Sequence, residues 1–143
     1  MIVIDAENVV VGRMAAAVAK LLLKGESVNI VNAEKAVISG EPKVNVTKYR
    51  TRRLQKDRAN PEHSPYISRR PDLFVKRIIR GMLPYKRSRG KRAFKNLKVY
   101  MGVPEGIEAK GQKMEFKKRD KVNARMLSIS ELCRKLGYTG YTG

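Results

Sequence analysis

The first hydrophobic run is Ile2, Val3 and Ile4, mostly β-branched, and after Gly12 the chain becomes dense in Ala and Leu. This order predicts a strand, a loop and a helix, the opening of a βα unit. Over residues 13–24 the only polar side chains are Arg13, Lys20 and Lys24, seven and four positions apart. They form one narrow stripe of a helix whose other sides need wide cover, and the alanines at 15, 16, 17 and 19 allow close approach to a sheet. Gly25 supplies a helix stop. Residues 27–31 read as a second strand and 36–39 as a short third. Gly40-Glu41-Pro42 reads as a turn into a helix with Pro near its first position. Two strands flanking a buried helix predict a parallel sheet with crossovers.

The pattern then changes. In the helix expected over residues 43–56, the few apolar positions (Val44, Val46, Tyr49, Leu54) scatter around the axis, so it cannot bury much of itself. Residues 60–70, with Pro61 and Pro65, read as loop. Asp72 is the expected N-cap of the next helix, in which Val75, Ile78, Ile79, Met82 and Leu83 fall within an arc of about 140° at 100° per residue. Lys76, Arg77 and Arg80 take the opposite side. Residues 85–92 follow as a basic run, 97–101 as a strand, and 103–127 as a loop rich in Gly and Lys. Ser128 and Glu131 have capping-box spacing ahead of a last amphipathic helix carrying Ile129, Leu132, Cys133 and Leu136. The closing Tyr-Thr-Gly pair is too short for a structural repeat.

A length of 143 residues fits one domain spanning 1–143, large enough to fold without a disulfide or metal staple. Charge changes the picture more. The chain has 32 Lys and Arg against 13 Asp and Glu, a net charge of +19, with a pI near 10.4. Residues 1–40 are balanced, while residues 41–100 hold nineteen of the bases and only four acids. Such an excess calls for a polyanion, met mainly by the middle of the chain. The single Cys133 and single His63 exclude a disulfide framework and any multi-cysteine or two-imidazole metal site, which fits a reducing, cytoplasmic setting. With an acid at position 5, a secretion signal is not expected. The longest apolar stretch, residues 14–23, is interrupted by Lys20 and falls short of the roughly 20 residues that span a bilayer, so no membrane partner is expected.

A dinucleotide fingerprint would need three spaced glycines after the first strand, where only Gly12 stands. A phosphate loop would need Ser or Thr after Gly90-Lys91, where Arg92 stands. Gly12, Gly81 and Gly90 read instead as turn or helix-end residues. His63 lies in a Pro-rich loop and Cys133 on an apolar helix face, which suits a buried small hydrophobe better than a nucleophile. Asp5, Glu7, Glu34 and Asp72 lack the pairing of acid and base roles. The expectation is no enzyme, no catalytic residue, no metal, no cofactor and no small-molecule substrate. A single basic run is ordinarily a solvated face. Here the bases come from two helices, a loop and the 86–92 cluster, Arg outnumbers Lys over residues 50–92, and Tyr49, Tyr66, Tyr85, Phe94 and Tyr100 are interleaved. Arg suits bidentate phosphate contact and the rings could stack on bases, although Phe94 and Tyr100 read better as packing. Nucleic acid is the leading partner. A DNA-binding or chromatin-type protein and an α/β nucleotide enzyme stand as alternatives at this point.

More specific are Ile79-Arg80-Gly81-Met82-Leu83-Pro84 and, five residues on, Gly90-Lys91-Arg92-Ala93-Phe94-Lys95-Asn96-Leu97-Lys98-Val99-Tyr100-Met101-Gly102. Together with Ile4-Asp5-Ala6, Gly12-Arg13 and Val31-Asn32-Ala33-Glu34-Lys35, they closely resemble the universal ribosomal protein L-thirteen family of the large subunit. The resemblance covers residues 2 to about 105 and is closest to the short archaeal form. It implies an α/β fold, three layers (α/β/α) around a four-stranded, mostly parallel sheet. It also implies a structural role on large-subunit (23S-type) rRNA early in assembly, among neighbouring large-subunit ribosomal proteins in the cytoplasm. Charge and clustering then select Lys48, Arg50, Arg52, Arg53, Arg69, Arg70, Lys76, Arg77, Arg80, Lys86, Arg87, Arg89, Lys91 and Arg92 as RNA contacts, with Tyr85 as a stacker.

Overall fold

The computed structural model describes residues 1–107, 112–114 and 125–140. Its elements are β1 (Ile2–Asp5), α1 (Val11–Leu23), β2 (Val28–Val31), β3 (Val37–Ser39), α2 (Pro42–Leu54), α3 (Pro71–Gly81), α4 (Ser88–Lys95), β4 (Leu97–Val99), β5 (Gln112–Met114), β6 (Met126–Ser128) and α5 (Ile129–Lys135). The class is α/β, as the alternation of strands and helices implied. Strands β4, β2 and β1 pair in parallel in that order, and β5 adds to the free edge of β1, also in parallel. The third expected strand does not join this sheet: β3 pairs antiparallel with β6 in a separate two-stranded ribbon. Of the loop expected over 103–127, residues 108–111 and 115–124 lie outside the described residues, as does the second Tyr-Thr-Gly.

One side of the main sheet carries the core. Ile2 and Ile4 of β1, Val28 and Ile30 of β2 and Leu97 of β4 pack in one cluster with Met14, Val18 and Leu22 of α1 and Phe74, Val75 and Ile79 of α3. Near-continuous apolar strands are what parallel pairing between helical crossovers requires. Helix α1 begins at Val11, two residues before the expected start, and Gly12 lies inside its first turn. It buries one stripe (Val11, Met14, Ala15, Val18, Ala19, Leu22) and leaves Leu21 and Leu23 half-buried, so its cover is narrower than the sequence implied. Gly25, at φ +97°, ends it as expected. The Gly25 amide donates to the Leu22 carbonyl at 3.1 Å and the Glu26 amide to Leu21 at 3.2 Å.

Helix α2 starts at Pro42 as anticipated and buries only Val46. Helix α3 differs in two respects. Pro71 takes its first position, so Arg70 rather than Asp72 is the N-cap residue. Asp72 sits in the first turn, where its carboxylate accepts from the Leu73 amide at 2.8 Å and from the Arg70 guanidinium at 3.2 and 2.8 Å. Met82 lies beyond the last turn and is 43% exposed, whereas Val75, Ile79 and Leu83 are buried as the arc required. The second half of the basic run forms α4. Gly90 lies within that helix, buried, where a Cβ would overlap the Pro84 carbonyl. Only glycine lets α4 fold back onto the turn after α3. Ser128 caps α5, accepting from the Glu131 amide at 3.3 Å, and Ile129, Leu132, Cys133 and Leu136 are buried.

The strand ends are tied by polar groups. Asp5 accepts from the Asn32 side-chain amide and from the Glu7 backbone amide, both at 3.0 Å. Asn32, at φ +54°, turns the chain so that the Asn32 and Ala33 amides reach the Gly102 and Tyr100 carbonyls at 3.0 and 3.1 Å. The Glu34 carboxylate accepts from the Gly102 amide at 3.1 and 3.2 Å. Asp5 and Glu34 thus brace the C-terminal ends of the parallel strands.

Candidate nucleic-acid interface

Helix α3 is amphipathic. Packing Val75 and Ile79 inward turns Arg77 and Arg80 to the surface. The chain then bends at Leu83-Pro84 and returns as α4 across Gly90, which brings the turn residues Tyr85, Lys86 and Arg87 back beside α3. Arg77, Arg80, Tyr85, Lys86 and Arg87, with Gly81, Leu83 and Pro84, line an open groove of about 560 Å³. Four cations share this one concave surface, and none has an acidic partner in the lining. The Arg80 guanidinium sits over the Tyr85 ring, 4.1 Å from its centroid. Tyr85 meets Phe94 edge to face at 5.4 Å, and the Lys76 ammonium lies 5.1 Å from the Phe94 centroid. Cation and ring therefore alternate from Lys76 through Phe94 and Tyr85 to Arg80, which fixes the long side chains without using up their charge.

A second hollow lies between the end of α1 and α4, lined by Leu22, Leu23, Gly25, Ser88, Arg89, Arg92, Ala93 and Asn96. Arg89 donates to the Leu23 carbonyl at 3.3 Å, a basic side chain on a helix C-terminus where the dipole favours it. Lys91 is exposed on α4.

The α2 bases lie apart from the groove. Lys48 and Arg52 flank the Tyr49 ring at 5.9 and 5.7 Å, and Arg50 donates to the Lys135 carbonyl at the end of α5 at 3.2 Å. Tyr49 packs edge-on against Phe74 at 4.9 Å, which makes it a packing residue rather than a free stacker. The link to α3 is the intervening loop. Arg53 donates to the Ile67 carbonyl at 3.1 Å from one side and Arg77 to the Tyr66 carbonyl at 2.6 Å from the other. Arg69 lies against Gly137 after α5, and Arg70 is held by Asp72. Charge clustering located the bases. It missed Phe74, which anchors Tyr49, and it misread Gly90, which shapes the groove; the Gly90-to-Phe94 motif was the signal for the second.

The groups weighed for catalysis are otherwise occupied. Cys133 is fully buried, and burial, with the charge of Asp72 adding, pushes its thiol up to about 12, so it stays neutral. His63 is exposed, beside the Asn60 side chain at 3.5 Å. Among the described residues no group of three or more His, Cys, Asp or Glu could hold a metal ion, and no helix is long and apolar enough to cross a membrane.

The family model described as Ribosomal protein L13 matches residues 1–106. Large ribosomal subunit protein uL13 of Methanococcus maripaludis is 52% identical over 108 residues, 75% of this chain and 79% of the relative. The proteins of the same name from Methanococcoides burtonii and Archaeoglobus fulgidus are 45% identical over 139 residues and 40% over 141. Each alignment covers 96% of this chain, with 98% and 88% of the respective relatives.

Proposed function

Because the chain belongs to the ribosomal protein L13 family, we propose that it is a structural constituent of the large ribosomal subunit, binding large-subunit (23S-type) rRNA through its basic surface and stabilising the RNA fold during early assembly. The observation that carries this reading is the gathering of Arg77, Arg80, Lys86 and Arg87 around one groove. A free protein gains nothing from four like charges on one concave surface, whereas a phosphate backbone neutralises them and releases its counterions.

The work is electrostatic and geometric. Phosphate contacts set position, and the parallel sheet fixes the spacing of the basic elements, so that RNA segments bound at different elements are held in one arrangement. Arg77, Arg80, Lys86 and Arg87 contribute at the groove, Arg89, Lys91 and Arg92 on α4, Lys76 beside Phe94, and Lys48, Arg50, Arg52, Arg53 and Arg69 around α2 and its following loop. Arg70, paired with Asp72 at 2.8 Å, contributes least. No bond is made or broken, so no catalytic residue, metal or cofactor is needed, in keeping with a family that is not enzymatic. We assign residues 1–143 to one domain built on the parallel sheet of β4, β2, β1 and β5; the helices α1 and α3 pack together on one of its faces, so the described helices do not form the second outer layer that the resemblance implied. The partners are large-subunit rRNA and neighbouring large-subunit proteins, in the cytoplasmic ribosome. Tagged protein expressed in an archaeal host is expected to sediment with the large subunit in high magnesium and to be stripped only by strong salt. Sedimentation as free protein in high magnesium would overturn the reading.

A further inference from the structure

The groove holds more than charge. The Arg80 guanidinium is seated on the Tyr85 ring, 4.1 Å from its centroid, while Arg80 itself remains exposed. The cation thus has an aromatic ring against it and yet lines the open groove, with Arg77, Lys86 and Arg87 around it. Resting on the rRNA-binding reading above, we propose that this groove takes an unpaired nucleotide, its base stacked on the outer face of Arg80 and its flanking phosphates held by Arg77, Lys86 and Arg87.

Three observations favour an unpaired nucleotide over a continuous duplex. The surface is an open concave groove of about 560 Å³, which a single base can enter from solvent. A-form helices hide the faces of their bases, while bulges and loops expose them to aromatic rings and guanidinium planes. Finally, the stacking cation is fixed in advance. Tyr85 is itself braced by Phe94 at 5.4 Å, so the Tyr85–Arg80 pair is ordered before RNA arrives and little side-chain freedom is lost on binding.

The test compares two RNA hairpins of equal length and charge, one fully paired and one carrying a single bulged 2-aminopurine. The intact protein is expected to bind the bulged hairpin about tenfold more tightly at the same salt, within the range for stacking one base, and to quench the 2-aminopurine fluorescence. Arg80→Lys keeps the charge but loses the plane. It should abolish both the preference and the quench. Tyr85→Leu should do the same, and Tyr85→Phe should retain both signals. Equal binding of the two hairpins without quenching overturns the nucleotide site and leaves the rRNA reading standing. Failure to bind either hairpin even at low salt overturns both.

Discussion

Gly90 shows how one residue without a side chain can position a basic cluster. A Cβ there meets the backbone of Pro84 and Tyr85 rather than the end of a flexible side chain, so the clash cannot be relieved cheaply. Gly90→Ala should therefore destabilise the protein by about 1–3 kcal/mol, although alanine is the better helix former. A thermal melt unchanged or raised by Gly90→Ala would mean that the close approach is not needed. Cys133 offers a pH test. Its thiol is pushed from 9.0 to about 12 in the folded chain, so between these values the unfolded chain has lost a proton that the folded chain keeps. Stability must then fall as pH rises through that window. Denaturant melts should show a shallower alkaline loss for Cys133→Ala than for wild type, and native protein should resist thiol alkylation at pH 9 until unfolded. Rapid native alkylation would contradict the burial.

At the scale of the element, α3 separates two roles that the sequence displayed together. Its inward arc was legible because Val75, Ile79 and Leu83 repeat at helical spacing, and all three are buried. Met82 shares that spacing but lies just past the helix end, where periodicity no longer fixes direction, and it is 43% exposed. Phe74 went unnoticed beside the arc because its value comes from Tyr49, a contact between helices that no local pattern contains. Helix α4 was hidden for a similar reason. Five of its eight residues are Ser, Arg, Gly or Lys before Ala93, and its burial rests on Gly90 and Ala93, too little apolar surface to signal a helix. The two roles can be tested separately. Ile79→Ala should cost about 2–5 kcal/mol, since the site is fully buried. Changing Arg80, Lys86 and Arg87 together to Gln should cost no more than about 0.5 kcal/mol per site and yet sharply weaken RNA binding. Arg13 and Lys20, exposed on α1, provide the control and should tolerate the same change with far less loss. Equal melting losses in the triple variant and in Ile79→Ala would show that the groove face and the core face have been confused.

For the whole molecule, composition alone called for a polyanion, and the fold determines where it sits. The basic elements α2, α3 and α4 belong to a fold whose parallel strands β1 and β2 are tied at their ends through Asp5, Asn32 and Glu34. The sequence identified the basic middle of the chain but not its division into a groove between α3 and α4 and a separate face on α2. That division depends on side-chain partners such as the Tyr66 and Ile67 carbonyls, which only folding brings within reach of Arg77 and Arg53. Salt titration of co-sedimentation with large-subunit rRNA reads both the charge and its location. With six or more phosphates neutralised, log affinity should fall with log salt at a slope steeper than about −4, and the triple Gln variant should make that slope shallower by about two to three, at 0.7 to 0.9 for each lost contact. An affinity nearly independent of salt, or a slope that the groove substitutions leave unchanged while Arg13 and Lys20 substitutions reduce it, would contradict binding through the α3–α4 surface.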